Sequence, residues 1–133
     1  MPYYRLERTS EPWLVFDGEL IAQSIGERAA GKTQDRWHDV SLYRTDGGQY
    51  VVYVIYRTRG AGEFNYSWAE LVGVDQFAHV LRSYEPVMNV PGLSGRAQYT
   101  TRQAGLLASL RRRFAAQVRR LLRDVAALEQ GVK

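Results

Sequence analysis

The stretch His38–Arg59 constrains the fold of this chain more than any other. It reads His-Asp-Val-Ser-Leu-Tyr-Arg-Thr, then Asp46-Gly47-Gly48, then Gln-Tyr-Val-Val-Tyr-Val-Ile-Tyr-Arg-Thr-Arg. Two runs rich in β-branched and aromatic residues flank a turn signal, which predicts an antiparallel hairpin. Side chains alternate along a strand, so the register decides which face is apolar. A three-residue loop pairs Thr45 with Gln49, Leu42 with Val52 and Val40 with Val54. One face then carries Val40, Leu42, Tyr50, Val52, Val54 and Tyr56. A two-residue loop would set Ser41 on Val52 and Asp39 on Val54, so the longer loop with a glycine bulge is predicted.

The next run extends the pattern. After Gly60-Ala61-Gly62, pairing Arg59 with Glu63 puts Phe64 beside Thr58, Tyr66 beside Tyr56 and Trp68 beside Val54. Three consecutive strands thus choose one common face, which predicts an antiparallel meander with a helix over that face. Upstream, Tyr3, Tyr4 and Leu6 suit a short edge strand. Trp13–Phe16, Asp17-Gly18 and Glu19–Ile25 read as a second hairpin. Residues 26–35 read as a loop.

Downstream, Asp75 is placed to cap a short helix over 75–85. Phe77, Val80, Leu81 and Tyr84 follow at i, i+3, i+4 and i+7, and Pro86 closes it. Residues 86–97 form a loop with a Pro91-Gly92 turn. Thr100 or Thr101 begins a last helix that reaches about Glu129, within a 98–129 segment. Leu107, Phe114, Leu121 and Leu128 recur every seven residues, widened by Leu110, Val118, Leu122 and Val125. Such a helix is roughly 45 Å long, against a radius of gyration of about 14 Å for a domain of this size. It must overhang, kink or pack on another chain, and an overhang that pairs, as a homodimer or with a partner, is expected. The sum is one α+β domain over 1–133. It has a meander of four to five strands (1–73), a short helix and a long basic C-terminal helix.

Charge is unevenly spread. Residues 1–97 carry ten Lys and Arg against twelve Asp and Glu, whereas residues 98–133 carry eight against two. Sixteen of the 18 basic residues are Arg, the side chain that binds phosphate and carboxylate bidentately. Arg112, Arg119 and Arg123 fall on one line of the helix, with Arg113 and Arg120 beside them and Arg111 and Arg102 nearby. They oppose the leucine stripe. An ordinary solvated face mixes signs to form i, i+4 pairs, but only Asp124 and Glu129 interleave these arginines. The far face of the sheet carries Tyr43, Tyr53, Ile55, Arg57 and Arg59, with Trp37 at its edge. Left open, it is an aromatic and basic platform suited to bases or partners. Covered by residues 1–25 or the long helix, it is second core.

Several chemistries find little support. Gly26–Thr33 (Gly-Glu-Arg-Ala-Ala-Gly-Lys-Thr) matches the phosphate-loop pattern literally. That loop must join a buried parallel strand to a helix whose amides cradle phosphate, and Gln-Asp-Arg-Trp-His-Asp-Val after it has no helical period. The match is read as accidental. His38 and Asp39 point to opposite faces of a strand and cannot act together. His79 sits at the margin of a helix face. Gly92-Leu93-Ser94-Gly95 misses the nucleophile-elbow spacing by one residue, and Glu63 and Glu70 fall on opposite strand faces. The absence of cysteine excludes disulfides and thiolate chemistry. No apolar run approaches about 18 residues and the first residues carry no signal-peptide core, so a soluble, cytoplasmic protein that contacts no membrane is expected.

The expectation is a non-enzymatic binding protein, without catalytic residues, metal or cofactor, that engages nucleic acid or a nucleoprotein complex. Its contacts would be Arg112, Arg113, Arg119, Arg120 and Arg123, with Arg57, Arg59 and Tyr53 as a second surface. The alternative is a small inhibitor or adaptor, of the kind mobile elements encode, docking on an acidic protein surface. A third reading is that the helix only builds a homodimer.

Overall fold

The computed structural model describes residues 2–26, 35–60, 62–88, 90 and 92–131. Five strands, β1 (Tyr3–Leu6), β2 (Leu14–Ile25), β3 (Arg36–Thr45), β4 (Tyr50–Thr58) and β5 (Tyr66–Val72), form one curled sheet. They are antiparallel and lie in sequence order. Two helices follow, α1 (Phe77–Ser83) and α2 (Thr101–Gly131), completing an α+β arrangement.

The central hairpin has the register its alternation demands. Val40 faces Val54 and Leu42 faces Val52. Thr45 N–H donates to the Gln49 carbonyl at 2.8 Å, and Gly48 takes the left-handed φ of 85° that the bulge requires. On β5, Tyr66 faces Tyr56 and Trp68 faces Val54. Val40, Leu42, Tyr50, Val52 and Val54 join Leu81 of α1 and Phe114, Val118, Leu121 and Val125 of α2 in the main core. Burial of each such side chain is worth about 1.5–3 kcal/mol.

Phe64 does not join this face. It is 83% exposed and lies before β5 begins. The side chain of Asn65 accepts the Thr58 N–H at 3.0 Å, taking a donor the ladder would have used and ending the pairing there.

The predicted second hairpin is also absent. β2 is one continuous strand through Asp17-Gly18. It pairs with β1 over Leu14–Asp17 and with β3 from Gly18 onward, with a bulge at Ile21. Gly18 is required for close approach rather than for a turn, since a Cβ there would lie 2.2 Å from the Arg44 carbonyl oxygen. The bent β2 carries β1 over the far side of the sheet. There Leu6, Tyr43, Val51 and Ala69 form a second core, flanked by Tyr4, Leu14, Phe16 and Tyr53. Beyond β1 the chain returns to β5, where Thr9 N–H reaches the Ser67 carbonyl at 2.9 Å.

α1 begins later than its cap signal suggested. Gln76 is the N-cap residue, and no side chain, that of Asp75 included, caps the helix. α2 opens on a capping box, in which Gln103 N–H donates to Thr100 Oγ1 and Thr100 N–H to Gln103 Oε1. Its 31 residues span about 46 Å. The loop before it supports its first turns: Val87, Val90 and Leu93 pack with Tyr56 and Leu110, and Leu106 and Leu107 lean on them. The sheet supports Phe114 to Val125, while Leu128 is 49% exposed. The overhang is therefore confined to the C-terminal end.

Candidate functional site

The amphipathic period of α2 sorts its arginines into three kinds. Arg112, Arg119, Arg120 and Arg123 are exposed and make no hydrogen bond or ion pair among the described residues. Arg111 turns toward the segment just after α1, where its Nε and Nη2 bind Glu85 at 3.2 and 2.6 Å. Glu85 is correspondingly held below the usual carboxylate range by the Arg111 hydrogen bond. Arg113 turns inward, and its Nη1 donates to the Arg36 carbonyl at 3.1 Å. The structure thus brings four of the five candidate helix arginines onto one solvent face and sets the fifth beneath it.

The exposed row borders an open groove between α1 and α2 of about 1010 Å³. Leu81, Tyr84, Phe114, Val118 and Leu122 line it, with Arg82, Arg111, Arg119 and Arg123 among its polar residues. Burial pushes the Tyr84 hydroxyl far above its ordinary range, so it stays neutral.

The far-face candidates are divided. Tyr53 is half-buried under the N-terminal strands, and its hydroxyl donates to the Glu7 carbonyl at 2.9 Å. Tyr43 is buried in the same cluster. Arg57 pairs with Asp39, Nε to Oδ2 at 2.5 Å, and the other Asp39 oxygen accepts the Gly26 N–H. Arg59 lies over the Trp37 ring, 4.7 Å from its centroid. This face is second core at one end and a charged cluster at the other, well apart in character from the row on α2.

The phosphate-loop match at Gly26–Thr33 lies outside the described residues except for Gly26. That residue presses on β3, and a Cβ there would meet the His38 carbonyl oxygen at 2.1 Å. His38 and Asp39 do separate to opposite faces. His38 is buried beside Phe114 and Tyr56, with Nε2 donating to the Pro86 carbonyl at 2.7 Å. Burial chiefly, and Arg113 in part, push its pKa down to about 4, so the ring is neutral at pH 7. Gln117 of α2 bridges from above, donating to the His38 carbonyl at 2.8 Å and to Ser24 Oγ at 3.2 Å.

Sequence reasoning placed Glu63 opposite Arg59 and set it aside as half of a carboxylate pair with Glu70, and so missed its actual partners. Its carboxylate receives Arg36 Nε at 3.1 Å and Arg36 Nη2, the Tyr56 hydroxyl at 3.1 Å and Thr58 Oγ1 at 3.0 Å. The Arg36 hydrogen bond, then those of Thr58 and Tyr56, hold Glu63 below the usual carboxylate range. Burial and the adjacent carboxylate push the Tyr56 phenol up to about 12. The neutral phenol donates and the carboxylate accepts, so the cluster is a staple between β3 and β4 rather than an acid–base pair. Among the described residues no group of three metal-capable side chains converges, and no helix is long and apolar enough to cross a membrane.

No protein-family model, no curated protein and no solved structure matches the chain.

Proposed function

We propose that this protein is a non-enzymatic binding protein that engages nucleic acid, alone or within a nucleoprotein complex, through the solvent face of α2. One observation carries the reading. Arg112, Arg119, Arg120 and Arg123 have no partner among the described residues, whereas Arg36, Arg44, Arg57 and Arg111 are each matched to a carboxylate. From Arg112 to Arg123 the row covers about 16 Å of helix. Guanidinium groups so spaced suit successive phosphates, whose neutralisation releases counterions.

The test is a polarisation titration of labelled mixed DNA and RNA pools at several salt concentrations. Three to four phosphate contacts give a log–log salt slope of about −2 to −4. Joint replacement of Arg112, Arg119 and Arg123 by Glu abolishes the binding. If no salt-dependent shift occurs at low salt, the proposal fails.

The groove favours a second reading, in which the partner is an acidic protein segment. Its apolar floor suits leucine-type anchors and its arginines suit flanking carboxylates. A pull-down from the native host separates the two readings, because nuclease removes nucleic-acid-bridged partners and leaves direct ones.

A further inference from the structure

The groove between α1 and α2 runs along α2 from Arg111 to Arg123, about 18 Å of helix. We propose that it seats one amphipathic α-helix of a partner protein, about three turns long, with an apolar stripe on the groove floor and acidic residues along both flanks. The inference rests on the protein-partner reading above and specifies the form that partner takes.

Size and backbone chemistry select a helix. A helix about 10 Å across and 18 Å long displaces roughly 1400 Å³. The groove holds about 1010 Å³, so it takes most of such a helix and leaves one side in solvent. The walls offer no strand edge along which an extended segment could pair. α1 and α2 spend their backbone groups within themselves. Just beyond α1, the Glu85 carbonyl is taken by the Met88 N–H and the Pro86 carbonyl by His38. An incoming helix satisfies its own backbone and needs only side-chain contacts.

The lining selects the side chains. Leu81, Phe114 and Val118 are buried at the floor, with Tyr84 and Leu122 half-buried beside them. Ala115 is exposed among them and lets a partner approach α2 closely. Apolar residues at i, i+3, i+4 and i+7 of one helix meet such a floor. Exposed arginines stand on both sides, Arg82 on α1 and Arg119 and Arg123 on α2. Among the described residues lining the groove Glu85 is the only acid, and Arg111 already neutralises it. The rim is therefore net positive on both sides and calls for carboxylates on both flanks of the incoming stripe. A second copy of this chain does not supply them, since its residues 98–133 carry eight basic against two acidic side chains. A nucleic-acid strand has no aliphatic stripe for the floor.

Labelled peptides of about 14 residues are the probes, titrated against the full chain at physiological salt. Three carry a stripe of Leu, Met or Phe flanked by Glu. The controls have the same residues in scrambled order, or Lys in place of Glu. At least one acidic amphipathic peptide is expected to bind saturably at micromolar concentration and to gain helix in the far-ultraviolet difference spectrum, with the controls at least tenfold weaker. Ala115→Glu sets a carboxylate in the groove at an exposed position and weakens binding at least tenfold. Two charge-matched pairs locate the acids. Arg119→Gln with Arg123→Gln weakens binding about fivefold, whereas Arg112→Gln with Arg120→Gln, outside the groove, changes it less than twofold. Absence of saturable binding by all three peptides, equal binding by the scrambled ones, no gain of helix, or equal effects of the two arginine pairs overturns the proposal. The pull-down separates this from failure of the wider reading. A nuclease-resistant partner retained equally by an Ala115→Glu bait docks elsewhere, and the groove reading itself then fails. If that bait loses the partner while no peptide binds, the groove stands and the helix is overturned.

Discussion

Glu63→Gln is the sharpest probe of the β3–β4 staple. The substitution keeps the shape and keeps an oxygen for Tyr56 and Thr58, which donate at 3.1 and 3.0 Å. It removes the negative charge and turns an amide N–H toward Arg36 Nη2, while the retained oxygen still accepts from Arg36 Nε. The side chains of Glu63 and Arg36 are 13% and 25% exposed, so solvent compensates only partly. Hydrogen bonds to a charged group are worth about 1.5–3 kcal/mol, and breaking a well-buried pair costs about 3–5 kcal/mol. Partial exposure places this loss near 2–3 kcal/mol. At about 4 °C per kcal/mol for a chain of this length, Tm falls by about 10 °C at pH 7. The pH dependence has a definite sign. The folded pKa of Glu63 is depressed by Arg36, Thr58 and Tyr56. Its contribution is therefore fully present above the unfolded value of about 4.3 and lost as pH falls through the folded value. The gap between wild type and Glu63→Gln narrows from pH 5 toward pH 2. Calorimetric melts across that range, with Arg36→Met completing a double-mutant cycle, measure the coupling directly. A Tm within 2 °C of wild type at pH 7, or a gap that does not change with pH, refutes the reasoning.

Two further predictions follow from single contacts. Gly18→Ala places a Cβ 2.2 Å from the Arg44 carbonyl oxygen and costs about 2–3 kcal/mol in denaturant unfolding, whereas Gly47→Ala, whose nearest new contact is Thr45 Oγ1 at 3.8 Å, stays within about 0.5 kcal/mol; equal costs would show that Gly18 is not a crossing point. His38, pushed down to about 4 by burial, keeps neutral-ring NMR signals down to about pH 5. Because its folded pKa lies below the unfolded value of about 6.5, it contributes about 3 kcal/mol above that pH and loses it as pH falls toward 4; protonation of the folded ring above pH 6 would contradict this.

The main core was legible because one period governs it. Alternation over Val40–Tyr56 admits a single register, and β5 and α1 repeat the choice. β2 was misread because Asp-Gly signals a turn only when the next strand folds back. Here the chain stays extended, and the glycine is needed for a clash that exists only once β3 lies alongside. The role of Glu63 was illegible for a related reason: its partners come from residues 36, 56 and 58, and no local pattern links them. Arg113 had a usable signal. It lies three residues after Leu110 and four before Gln117, both buried, and so at the margin of the apolar stripe rather than on the arginine line.

What the fold asks of α2 can be separated from what it does not. The apolar stripe, the Thr100–Gln103 box, Gln117 over His38 and Arg111 on Glu85 account for how the helix is seated. Arg112, Arg119, Arg120 and Arg123 take no part in any of these contacts. Four like charges within about 16 Å of helix repel one another, and alternating acidic and basic residues would have served solubility as well. Their cost in the folded state has no offset among the described contacts, which is the pattern expected where residues serve a partner rather than the fold. The joint Arg→Glu variant relieves part of this repulsion by interleaving acids with Arg120 and the neighbouring basic residues. Loss of binding in that variant therefore reports on the surface itself, provided that its melt is unchanged or raised.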